Sequence, residues 1–145
     1  MYLLDTNVVS VFDPRRQAYT PELVAWLDSN SQSTFMSVVS IMEVETGILK
    51  LRRQRKSKRA SELSGLLATM VEAFRERLLP VDLETAMEAS KLGESTFRQP
   101  VELPDLLIAA TANRHGLILL THNTAEFSRL SIPMLDPFTQ LPPDA

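Results

Sequence analysis

Leu3-Leu4-Asp5-Thr6-Asn7, at the head of the chain, decides how the rest is read. An apolar run ends in a carboxylate, and two polar residues able to open a helix follow it. Two later stretches echo the pattern: Pro104-Asp105-Leu106-Leu107-Ile108-Ala109-Ala110 and Leu119-Leu120-Thr121-His122-Asn123. Ser40-Ile41-Met42-Glu43 opens a further helical pattern. In α/β proteins ligands collect at the carboxyl ends of parallel strands. Acids that meet there repel one another unless a cation neutralises them. The chain therefore reads as a divalent-metal site on an α/β scaffold.

Working outward, Tyr2 to Asp5 reads as a buried strand, and Asn7 to Phe12 as a helix broken by Asp13-Pro14. Thr20-Pro21-Glu22 combines a capping threonine, a first-turn proline and an acid at the positive helix end. Thr34 to Val39 is expected to be a second strand. Ile41, Val44, Ile48 and Leu51 repeat at helical spacing, so a helix is expected over residues 40–51. A longer one is expected over residues 57–79, with Leu63, Leu66, Leu67, Met70, Val71, Phe74 and Leu78 on one face. Residues 79–81 should form a short strand. Asp82 then caps a helix whose Ala86, Ala89, Ser90 and Gly93 make a small-residue face. Residues 103–115 are nearly all apolar, which predicts a buried helix, and Gly116 ends it. Strands over residues 117–121 and 132–135 enclose one helical turn at residues 124–127. The proline-rich tail from Asp136 reads as irregular. Alternating strands and helices imply a mostly parallel central sheet covered by helices on both faces.

The chain has 145 residues, enough for one domain with a real core, expected to span 1–145. It has no cysteine, which excludes disulfides, zinc-thiolate sites and cysteine nucleophiles. No signal peptide is read at Met-Tyr-Leu-Leu-Asp, and no apolar run approaches membrane-spanning length, so a cytoplasmic location is expected. Net charge is −3. Residues 50–59 nevertheless hold seven of the fifteen lysines and arginines, leaving the remainder clearly acidic. That basic run reads either as a solvated helix face or as a surface for RNA phosphates.

Each acid taken alone has a bland explanation. Asp5 can cap the helix after it, Ser40-x-x-Glu43 fits a capping box, and Asp105 suits a positive helix end. Together they argue for more. A carboxylate heading so apolar a helix as residues 105–112 is partly buried and needs a partner, yet no lysine or arginine lies near it in sequence. Magnesium and manganese prefer carboxylate oxygens. Thr121 and Asn123 add neutral oxygens at the end of another strand.

These segments resemble the PIN-domain family, and within it the VapC-like toxins of bacterial toxin–antitoxin pairs. The resemblance covers essentially the whole chain. It rests on Leu4-Asp5-Thr6-Asn7, on Ser40 with Glu43-x-x-x-Gly47, on Pro104-Asp105-x-x-Ile108-Ala109-Ala110-x-Ala112, and on Leu120-Thr121-x-Asn123-x-x-x-Phe127. It implies a Rossmann-like sheet and a Mg2+- or Mn2+-dependent endoribonuclease acting on single-stranded RNA. It also implies a homodimer neutralised by a cognate, VapB-like antitoxin. Carried over residue by residue, Asp5, Glu43 and Asp105 match the family's acidic catalytic and metal-site residues. Asn123 stands where the family often has aspartate, and Glu126 where many members carry aspartate or histidine. The expected metal ligands are thus Asp5, Glu43, Asp105 and Asn123, and the expected substrate contacts Thr6, Thr121 and Asn123.

Other classes fit less well. His115 and His122 are too isolated to be a metal-free acid–base pair. A phospho-receiver domain needs paired acids after the first strand and a late lysine, and no lysine follows Lys91. The remaining alternative is a catalytically weak PIN-like module that mainly binds RNA or a protein partner, with Asn123 as its mark.

Overall fold

The computed structural model describes residues 1–17 and 20–145, Gln17 by its backbone only. Five strands run parallel: β1 (Tyr2–Leu4), β2 (Thr34–Ser37), β3 (Leu78–Leu79), β4 (Ile118–Leu120) and β5 (Met134–Leu135), in the order β3-β2-β1-β4-β5. The chain first winds outward from β1 to β3, then returns to the other side of β1 with β4. The order reverses between β1 and β4, and a crevice opens at such a switch point.

Short apolar strands fill two cores because their side chains alternate between faces. Leu3 and Leu119 belong to one core with Ile108, Ala109 and Phe127. Tyr2, Leu4, Met36 and Leu120 belong to the other with Val8, Trp26, Met70 and Phe74. Leu3, Leu4, Ile108, Leu119 and Phe127 are fully buried, each burial stabilising by about 1.5–3 kcal/mol.

The helices are α1 (Thr6–Val9), α2 (Pro14–Gln17), α3 (Pro21–Ser29), α4 (Val38–Arg53), α5 (Ser57–Ala73), α6 (Leu83–Ser95), α7 (Leu103–Arg114) and α8 (Thr124–Phe127). Several differ from the sequence expectations. A 3-10 turn at Ser10–Phe12 continues α1, and α2 follows Asp13 directly. Thr20 precedes α3 without a side-chain cap, its hydroxyl donating to Arg16 O instead. The second strand stops at Ser37, whose Oγ accepts from Val39 N and starts α4 there. Ser40 is therefore inside the helix, and the capping-box reading of Ser40 and Glu43 falls.

The helix expected to reach Leu79 ends at Ala73. There Arg77 Nη1 donates to Ser31 O at 2.5 Å and Thr34 O at 2.6 Å, tying the chain to the start of β2. Leu78 consequently pairs with Met36 in the sheet. Asp82 caps α6 by accepting from Thr85 N. Of the expected small-residue face, Ala89 is buried, while Ala86 and Ser90 are exposed. A Cβ on Gly93 would stand 3.2 Å from the Leu106 side chain, so glycine permits the close approach of α6 and α7. Gly116 ends α7 with φ +63°, a left-handed conformation that favours glycine.

The tail is irregular but anchored. Tyr2 donates to Pro143 O at 2.7 Å, and Asn30 bonds both Asp144 and the Ala145 N–H.

Candidate active site

Asp5 sits where β1 becomes α1, and its N–H donates to Leu120 O at 2.9 Å, joining the ends of β1 and β4. The side chain is buried and accepts three hydrogen bonds. Thr121 Oγ1 donates at 2.7 Å, Thr6 N at 2.8 Å and Asn7 Nδ2 at 3.1 Å. Burial pushes the carboxyl upward from its ordinary value. The Thr121 and Thr6 hydrogen bonds oppose this, and the charge of Glu43 adds to it.

Glu43 enters from α4. The Thr6 hydroxyl donates to Glu43 Oε1 at 2.6 Å and lies 3.0 Å from Ser40 Oγ. The earlier start of α4 thus places Ser40 and Glu43 one turn apart against the first residue of α1.

Asp105 sits in the first turn of α7, half-buried. Burial, then the charges of Asp5, Glu126, Glu43 and Glu102, push its carboxyl up to about 6. Asp5, Glu43, Glu126 and Glu102 thus lie near enough for their charges to act on Asp105, and Glu43 near enough to act on Asp5. No lysine or arginine pairs with any of them among the described residues.

Two of the expected substrate contacts, Thr121 and Thr6, are engaged in hydrogen bonds within the protein. Thr121 is fully buried, donating to Asp5 and accepting from Asn123 N at 2.9 Å, so it positions Asp5. The Thr6 hydroxyl is engaged with Glu43 and Ser40. Asn123 is exposed and donates from Nδ2 to Glu126 Oε2 at 3.1 Å. Residue reasoning alone had not found Glu126. Its signal was its place three residues after Asn123, one helical turn away. Asn7 was also missed as a structural element; it donates to Asp5 and accepts from His122 N at 3.1 Å.

Among the described residues no three aspartate, glutamate, histidine or cysteine side chains form a ready-made metal cluster. The acids still fit a hard divalent cation: they offer carboxylate oxygens, and neighbouring negative charge adds to burial in raising Asp5 and Asp105.

A parallel α/β sheet whose switch point gathers acids from β1, α4, α7 and α8 defines a class, and the whole chain can be compared with it. The PIN domain family model matches residues 2–133. The chain is similar to Toxin FitB of Neisseria gonorrhoeae, at 30% identity over 141 residues, 95% of this chain and 99% of that protein. The crystal structure of FitAcB from the same organism superposes with a TM-score of 0.79, again at 30% identity, over 95% of this chain and 99% of the other. VapC ribonuclease Y4jK of Sinorhizobium fredii is 27% identical over 144 residues, 95% of this chain and 98% of that protein. A toxin-antitoxin complex from Klebsiella pneumoniae matches with a TM-score of 0.62 and 26% identity, covering 94% and 98%. The chain belongs to the PIN-domain family, and relatives along its full length are toxins of the FitB and VapC kind.

Proposed function

We propose that this protein is a metal-dependent endoribonuclease toxin that cleaves single-stranded RNA and is held inactive by a cognate antitoxin. The observation that carries this is the gathering of Asp5, Glu43, Asp105 and Glu126 at the switch point without a cationic partner. A ribonuclease and a toxin among its full-length relatives support the same activity.

Asp5 and Asp105 would hold a Mg2+ or Mn2+ ion, with Glu43 and the Asn123–Glu126 pair completing its surroundings. When bound, the ion supplies positive charge for the phosphate and makes water more acidic. Thr121, Asn7 and the Thr6 N–H fix Asp5, so no reorganisation is needed when charge develops. Glu43, steadied by Thr6, orients the attacking water. In-line attack breaks the bond from phosphorus to the 3′ oxygen and leaves a 5′-phosphate.

An antitoxin has a suitable seat. Val44, Leu63, Leu66, Leu67 and Met70 line a groove of about 210 Å³ that reaches Thr6, with Arg16 on its wall beside the paired Arg59 and Asp13. An amphipathic segment carrying acids matches that chemistry. The reading includes a homodimer and cytoplasmic action, where RNA is found. No helix among the described residues is long and apolar enough to cross a membrane.

The test is incubation of antitoxin-free protein with labelled single-stranded RNA in Mg2+, in Mn2+ and in chelator, beside Asp5→Asn. Cleavage that needs metal and is lost in Asp5→Asn is the expected result. No cleavage under any metal from folded protein would favour the binding module, for which the neutral Asn123 on Glu126 speaks.

A further inference from the structure

Beside the acids lies a groove of about 440 Å³ that the cleavage chemistry leaves unused, with Asn7, Ser10, Arg16, His122 and Phe138 among its walls. Its size suits a bound small molecule or a nucleotide.

Arg16 is the cation in it. The neighbouring arginines are engaged: Arg15 pairs with Glu62 at 2.8 Å, and Arg59 pairs with Asp13 and Glu62. No carboxylate lies within ion-pair distance of Arg16 among the described residues. Its guanidinium makes a 3.4 Å hydrogen bond to Ser10 Oγ, and Ser10 donates to Asn7 O at 2.6 Å. An exposed guanidinium that is in no ion pair among the described residues is well suited to a phosphate.

His122 and Phe138 supply flat apolar surface. Their rings meet edge to face, with centroids 5.1 Å apart at 67°. The His122 side chain is 66% exposed and Phe138 37%. Asp136 fixes both: it accepts from Phe138 N at 2.9 Å and lies 3.0 Å from His122 Nδ1. Its charge is thereby engaged and its side chain mostly covered. Asn7 ties the groove wall to the acids: its Nδ2 donates to Asp5 and its Oδ1 accepts from the His122 backbone N–H.

Carboxylates at the crevice repel an approaching phosphodiester. A strand entering there gains from a neighbouring cation and from a surface on which an unpaired base can stack. We propose that this groove binds one nucleotide of single-stranded RNA next to the scissile phosphodiester, Arg16 holding its phosphate and Phe138 with His122 stacking its base. This rests on the ribonuclease assignment above. A base held in a duplex offers no free face to the rings, so the site selects unpaired strands.

The probe is a fluorescein-labelled single-stranded RNA pool of random sequence, in Mn2+. Binding is followed by anisotropy on the Asp5→Asn protein with and without Arg16→Gln or Phe138→Leu, at several salt concentrations. Cleavage is followed on the same variants in the wild-type background. Arg16 is exposed, so Arg16→Gln keeps the fold, and circular dichroism checks it.

The expected result is that Arg16→Gln weakens binding about tenfold, lowers the salt slope by about one and raises KM with kcat nearly unchanged. Phe138→Leu should weaken binding several-fold with the salt slope unchanged. Cleavage and binding that survive both substitutions unaltered overturn the subsite and leave the nuclease standing, the groove then being open to a protein partner's acidic segment. No cleavage, with binding still weakened by Arg16→Gln, overturns the nuclease and keeps the subsite. Neither cleavage nor binding overturns both.

Discussion

Two groups of carboxylates flank α1, and they are treated in opposite ways. On one side Asp13 is buried against Arg59, with Glu62 bridging Arg59 and Arg15. The Arg59 hydrogen bond holds the Asp13 carboxyl below its ordinary value. On the other side Asp5, Glu43, Asp105 and Glu126 have no lysine or arginine partner among the described residues, and Asp105 is pushed up to about 6. The paired acids stabilise the fold. Asp5 and Asp105 are instead pushed up, so their ionised forms cost stability, a pattern common at functional sites.

The largest expected effect breaks that contrast at the unpaired side. Asp105→Asn removes a repelled charge, so metal-free thermal stability should rise while RNA cleavage falls by at least about a hundredfold. Calorimetry and a cleavage assay on the same sample check both signs. Next in size, saturating Mn2+ should stabilise the wild type by about 2.7 kcal/mol at a hundredfold excess over Kd, and Asp105→Asn much less. The paired side should behave in reverse. Arg59→Ala leaves Asp13 without its partner and should cost about 1–2 kcal/mol in denaturant unfolding, with cleavage of bound RNA retained.

Acidity separates the two groups as well. Asp105 has a raised folded pKa, so its protonated form favours the native state. That contribution is full below the ordinary carboxylate range and is lost as pH rises to about 6. Asp13 has a lowered pKa, so its contribution is present at neutral pH and lost in acid. Melting in chelator between about pH 4 and pH 6 should therefore flatten or invert its slope in Asp105→Asn, and Asp13→Asn should change it only at the acid end. The smallest effect is the control. Arg75 and Glu72 form an exposed pair, and Arg75→Ala should shift stability by less than about 0.5 kcal/mol.

The sequence carried this contrast only in part. Asp5 and Asp105 were legible because each interrupts an apolar segment, where a carboxylate has no local reason to be. The parallel sheet followed from strands alternating with helices. Which serine starts α4 was not legible: Ser37 and Ser40 are equally good caps, and the Thr6 contacts that occupy Ser40 and Glu43 join residues more than thirty positions apart. The end of α5 was hidden for a similar reason. Residues after Ala73 suit a helix, but Arg77 is claimed by carbonyls before and at the start of β2. The basic run of residues 50–59 looked uniform. In the fold its other six cations are exposed, while Arg59 reaches back to Asp13 and belongs to the paired group. Thr121 and Asn123 looked alike as loop oxygens, yet burial makes the first a support for Asp5 and leaves the second at the surface.

If the unpaired acids receive a divalent cation, as proposed, its binding depends on Asp105. The decisive measurement is a calorimetric titration of antitoxin-free protein with Mn2+ at neutral pH, repeated on Asp105→Asn. Saturable binding in the wild type that is lost or weakened at least about tenfold in the variant is the predicted result. No saturable binding to folded wild-type protein, or equal binding by both, would contradict it.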